Sequence, residues 1–205
     1  MPFDFLKRRK EVPAPAIERP APAAPPPEPG GIAFEGMTED WRLVGRMLVE
    51  GRLSDALNKR EPIAIDDVHW APVDGSDALA PAPGLKTVDP YDLVLVLAGE
   101  DSLPAMSDQE RSAHRVHKVT YEVALEVPPY RVVGSVQLFP GHEPGRLLER
   151  SSEMFLPVLR ATATMAGRPV SPPETEVILV NRAYLRDVEQ VEVQAAERQE
   201  AARSS

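Results

Sequence analysis

Lys118-Val-Thr-Tyr-Glu-Val-Ala-Leu-Glu-Val127 decides the fold class. Val119, Tyr121, Val123, Leu125 and Val127 alternate with Lys118, Thr120, Glu122, Ala124 and Glu126. A period of two places the first set on one face of a strand and the second on the other. The pattern extends outward in both directions. Val132, Gly134, Val136 and Leu138 predict a strand on the C-terminal side, and Trp41, Leu43, Gly45, Met47 and Val49 predict one towards the N-terminus. Shorter strands are expected at Ile63–Trp70, Met154–Val158, Ala161–Met165, Glu176–Val180 and Asp187–Val193, and the apolar run Tyr91–Leu97 reads as a central strand.

Helical signals are few. Leu53 and Leu57 stand at i and i+4 within Arg52–Asn58, with Ser54 and Asp55 placed to cap the first turn. Leu147 and Leu148 suggest a short helix over Gly145–Arg150, and Ser107-Asp-Gln-Glu110 opens another that runs to about His114. The Gly-, Pro- and Asp-rich stretch Asp74–Pro90 reads as a long loop.

Proline divides the 205-residue chain. Nine of its 23 prolines fall in residues 1–31, which predicts an extended, solvated arm rather than a core. Such a segment can also be a ligand for aromatic grooves. The arm carries a basic–aromatic tip of Phe3, Phe5, Leu6, Lys7, Arg8, Arg9 and Lys10. Its net charge is +3 over ten residues, whereas residues 32–205 hold 18 basic and 28 acidic groups. The basic residues follow a short apolar part, the reverse of an export signal, so a cytoplasmic setting is expected. The tip is the candidate contact for a protein partner. Peripheral contact with an anionic membrane, at about 1 kcal/mol per basic residue, is the weaker option. Gln194–Arg203 has good helix formers without an apolar stripe and reads as a frayed or disordered tail.

Leu43-Val-Gly-Arg-Met-Leu-Val49, a Leu-bearing helix and Glu61-Pro-Ile-Ala-Ile65 follow the same plan as Val132-Val-Gly-Ser-Val-Gln-Leu138, a Leu-bearing helix and Glu153-Met-Phe-Leu-Pro-Val158. The expectation is a mainly β protein of two tandem small β-barrel-like or β-sandwich-like domains with short helical inserts. The first spans residues 34–114 and the second 115–193, between a disordered Pro-rich arm (1–33) and a tail (194–205). The glycines Gly45 and Gly134 mark strand bends.

Two resemblances follow from these residues. Glu176-Val-Ile-Leu-Val-Asn-Arg-Ala-Tyr-Leu-Arg-Asp-Val188, a strand, a one-turn connector and a strand, resembles the end of Sm-like small β-barrels, as does the bent Gly strand. The inserted helix departs from that pattern. Arg52-Leu-Ser-Asp-Ala-Leu-Asn58 before an apolar strand, with Val180-Asn181 to Leu185, resembles a bacterial β-domain family of unknown function. That likeness spans residues 41–192 and implies a fold without implying an activity.

The chemistry is sparse. Without Cys there is no disulfide, thiolate metal site or Cys nucleophile, and no run of about 18 apolar residues predicts a membrane helix. No catalytic set, metal site or cofactor is assigned. His114 and His117 read as a polar junction, His69 as a strand residue, and His142 as turn surface. Arg52, Asp55, Asn58, Asn181 and Arg182 are candidate surface-motif residues. Arg111, Arg115 and Lys118 are the basic patch of an alternative nucleic-acid reading, which the acidic body disfavours. A non-enzymatic interaction or regulatory module is the expected function, and an enzyme with an interdomain pocket the remote one.

Overall fold

A computed structural model describes residues 31–98, 118–149 and 153–191. The expected arm tip, the helix over 107–114, His114, His117, Arg111, Arg115 and the C-terminal tail lie outside them.

Twelve strands form the sheet: β1 (Ile32–Met37), β2 (Trp41–Met47), β3 (Ile63–Pro72), β4 (Ala80–Pro81), β5 (Thr87–Val88), β6 (Leu95–Ala98), β7 (Val119–Val127), β8 (Tyr130–Leu138), β9 (Phe155–Met165), β10 (Arg168–Pro169), β11 (Thr175–Asn181) and β12 (Asp187–Gln190). Among the described residues the one α-helix, α1 (Leu53–Asn58), joins β2 to β3. The strand order is β12-β7-β8-β9-β11-β6-β1-β2-β3-β4, with β10 on β9 and β5 on β3.

This order overturns the two tandem domains. β11 pairs with β6 in the register Ile178↔Leu97, so one sheet runs through both halves and across the expected boundary at 114/115. Among the described residues no strand pairing closes it into a barrel, and the tandem-repeat and sandwich readings fall with the separate domains. The reason lies in the two most apolar strands. Every residue of β6 is buried, as are the last five of β11, so each covers the other instead of closing a domain of its own. Their side chains alternate between two cores. Val96, Val177 and Leu179 join Phe34, Leu43, Met47, Leu53, Leu57 and Phe155, while Leu97, Ile178 and Val180 join Val123, Leu125, Val132, Val136 and Val158. Each fully buried Leu, Ile or Phe contributes about 1.5–3 kcal/mol.

Several boundaries also move. β1 starts at Ile32, inside the segment assigned to the arm, because Ile32–Met37 pairs with β2 along its length. The run Tyr91–Leu97 is split: Asp89 Oδ1 accepts from Tyr91 N–H at 2.9 Å, a 3₁₀ turn fills Pro90–Asp92, and the strand begins at Leu95. Met154–Val158 and Ala161–Met165 are parts of one strand, β9. The loop Asp74–Pro90 carries β4 and β5 because its backbone follows β3, with Ala82 N–H donating to Val68 O and Ile65 N–H to Lys86 O. The second helix is a 3₁₀ turn over Pro144–Leu148, which begins at a proline.

At Gly45 and Gly134 the irregularity falls on the opposing strands, β3 and β9. The β2–β3 register shifts between Val44 and Arg46, and the β8–β9 register between Val133 and Ser135. At each, two residues oppose one glycine, the mark of a β-bulge.

Candidate functional site

An open cleft of about 640 Å³ lies where the two halves meet. One wall is α1 with Arg52 before it, the other is the Pro144–Leu148 turn, and the start of β9 is the floor. Leu53, Ala56 and Leu57 of α1 are buried, so its polar side turns outward along the cleft. Ser54 and Asp55 do not cap this helix: Arg52 holds the N-cap position, and no side chain bonds there.

Two side chains fasten the walls to the floor. Asn58 Oδ1 accepts from Met154 N–H at 2.7 Å and from Phe155 N–H at 2.8 Å. Arg182 donates its main-chain N–H to Met154 O at 2.8 Å and Nη1 to Leu147 O, also at 2.8 Å. The first strand residues of β9 are thus held from both halves. The Arg182 Nε is buried without a hydrogen-bond partner among the described residues. Burial lowers the Arg182 pKa from its ordinary value, and the Glu153 carboxylate partly offsets this.

Around this frame the lining carries charges of both signs. Arg52 and Asp55 line one side, and Arg146 and Glu149 the other. Arg146 Nε lies 3.2 Å from Glu149 Oε1, an exposed pair of small energetic weight. At one end Lys118 Nζ sits 5.6 Å from the centre of the Phe139 ring, and His142 meets the same ring edge-on at 6.1 Å.

Four of the five candidate surface residues therefore converge: Arg52, Asp55, Asn58 and Arg182 all line the cleft. Asn181 does not. It is fully buried, with Nδ2 donating to Leu93 O at 2.8 Å and Pro90 O at 3.3 Å, and Oδ1 accepting from Ala183 N–H. A fully satisfied amide is cheap to bury, so polarity alone misplaced it on the surface. Lys118 lines the same cleft, while His69 lies in β3 opposite Val44. Sequence reasoning missed Phe139, Arg146, Glu149 and Glu153 as lining residues. A signal for two of them existed, because Gly145-Arg-Leu-Leu-Glu149 matches the spacing of Gly51-Arg-Leu-Ser-Asp55.

Among the described residues no three His, Asp or Glu side chains converge to hold a metal, and no helix is long and apolar enough to cross a membrane. No family model, curated protein or solved structure matches the chain.

Proposed function

We propose that the protein is a non-enzymatic interaction or regulatory module that receives a peptide segment of a partner protein in this cleft. The observation that carries the reading is the mixed arginine–carboxylate lining, with Arg52, Asp55, Arg146 and Glu149 all at the cleft. A peptide presents both signs of charge along with main-chain donors and acceptors, so a channel lined by both signs complements it. A nucleic-acid backbone is uniformly negative and would be repelled by the carboxylates. The tip residues Phe3, Phe5, Leu6 and Lys7 to Lys10 form a second, tethered contact in this proposal. A cytoplasmic setting belongs to the proposal too and is supported only by the order of charged and apolar residues in the tip.

The test is affinity capture from cell extract, with each captured protein quantified and the best then purified for titration. The intact chain is compared with Arg52→Glu/Arg146→Glu and with a chain lacking residues 1–30. The cleft variant should lose binding of one partner by about tenfold or more, the worth of a single desolvated charged contact. Removing the tip should weaken the same partner several-fold. Equal affinities for all three proteins overturn the reading. Tight single-stranded RNA binding at low salt that weakens in Lys118→Ala would replace it.

A further inference from the structure

The chain has two tryptophans, Trp41 and Trp70, and both stand on one exposed patch. Their rings stack at 4.8 Å and 21°, and each residue is still 41% exposed. The strand registers Trp41↔Pro72, Leu43↔Trp70 and Trp70↔Ala80 put Pro72 and Ala80 on the same face. Beside the pair lies an acidic rim. Glu39 and Asp40 are exposed in the turn before Trp41, and Val73 N–H bonds to Asp40 O, which brings the exposed Asp74 close. Burying an aromatic side chain is strongly favourable, so a paired, half-open aromatic surface suits an apolar ligand with a cationic end.

The same chain contains such a ligand. Arg19, Pro22 and Pro25 are spaced three apart within Arg19-Pro-Ala-Pro-Ala-Ala-Pro-Pro-Pro-Glu-Pro29. Polyproline II has three residues per turn, so these residues share one edge of the helix. Proline-rich helices of this kind dock on aromatic grooves at low entropic cost.

The tether fits. Gly31 lies at the Met47 end of the β1–β2 hairpin, where its carbonyl accepts from Arg46 Nη2 at 2.6 Å. Trp41 lies at the other end, about six strand steps or roughly 20 Å away. Six residue steps lead from Pro25 to Gly31, and in extended geometry they span about 19–22 Å. Pro22 and then Arg19 follow at about 9 Å intervals. At Pro22, about 28 Å of polyproline II chain from Gly31, the arm reaches the tryptophans with slack to pass around the buried Leu43 and Met47, and Arg19 lies about 9 Å further on, beside the acidic rim.

We propose that residues 19–25 dock in polyproline II form on the Trp41–Trp70 face of their own molecule, with Arg19 paired to the acidic rim. Docking shortens the free tether to residues 1–18 and so limits where the basic tip can reach. The inference is independent of the cleft reading.

Because no other tryptophan exists, intrinsic fluorescence of the full chain reads this surface alone. The wild-type chain is compared with Arg19→Glu/Pro22→Ser/Pro25→Ser by emission maximum and acrylamide quenching, across a dilution series from micromolar to low nanomolar. Expected is a red shift in the variant and an about twofold rise in its quenching constant, since docking covers the outer side of a half-exposed pair. The wild-type values should not change on dilution. Equal quenching in the two proteins overturns the proposal. Protection that disappears on dilution also overturns it, because the arm would then belong to a second copy.

Discussion

The chain builds the same local device around Gly45 and around Gly134, in different surroundings. Asp67, opposite Gly45, and Arg160, opposite Gly134, both take left-handed backbone, with φ of 51° and 46°. The difference begins four residues upstream. Trp41 is 41% exposed and stacks on Trp70, whereas Tyr130 is 2% exposed and donates its hydroxyl to Thr38 O in the β1–β2 turn. The turn of the first half thus covers the second half's aromatic residue. The glycines differ likewise. A Cβ on Gly134 would lie 2.8 Å from Leu159 O and 2.9 Å from Ala161 Cα, but one on Gly45 would lie 3.0 Å from Asp66 O. Local sequence sets the bend in both places, and the neighbouring half decides how tightly it is enclosed.

The widest gap between the halves is expected at their capped turns. Asp89 and Asn181 each accept from the main chain two residues on, at 2.9 and 3.0 Å. Only Asn181 also donates across the β6–β11 seam. Asn181→Ala removes the cap and leaves the Leu93 carbonyl without this donor, a loss of about 3 kcal/mol. Asp89→Ala removes one cap bond, about 1 kcal/mol. Urea denaturation of both variants measures the gap, and equal midpoints would show that the amide contributes nothing at the seam.

A smaller difference is expected at the bends. Gly134→Ala forces β8 and β9 apart against backbone atoms and should cost about 2–3 kcal/mol. Gly45→Ala meets a marginal contact, and a stiffer unfolded chain offsets part of it, so about 1 kcal/mol or less is expected. If the two alanine variants melt together, the closer approach at Gly134 has no energetic meaning.

Much of this was legible in the sequence. Alternation located β2, β3, β7 and β8, because a half-buried strand must alternate and a one-residue slip would expose its apolar set. The cleft was half legible, since Arg52, Asp55 and Asn58 sit on the polar side of a helix whose leucines point to the core. The β6–β11 pairing was not. Leu95–Ala98 and Val177–Asn181 are buried strands without an exposed face, and such runs announce a central position but carry no information about the neighbour. β4 and β5 were hidden for the opposite reason. They are two residues long, set among Pro, Gly and Asp, and exist only because β3 offers its edge.

The smallest expected effect concerns Tyr130, the buried counterpart of exposed Trp41. Burial raises its pKa, and the Asp40 and Glu39 carboxylates raise it further. The folded protein therefore holds the phenolic proton more tightly than the unfolded chain, whose tyrosines titrate near 10. This stabilisation is complete below about pH 10 and declines as pH rises above it, by up to about 1.4 kcal/mol per pH unit, until the raised folded-state value is reached. Tyr130→Phe keeps the ring and gives up the bond to Thr38 O, so at pH 7 it should be less stable by about 1 kcal/mol. It also removes the proton linkage of this side chain, the one ionisable group in which the two proteins differ. The wild-type advantage should accordingly shrink to nothing by about pH 11. Melting curves at pH 7, 10 and 11 measure it. A difference that stays constant with pH would mean that the hydroxyl is as well solvated in the fold as out of it, and that the β1–β2 turn does not cover Tyr130.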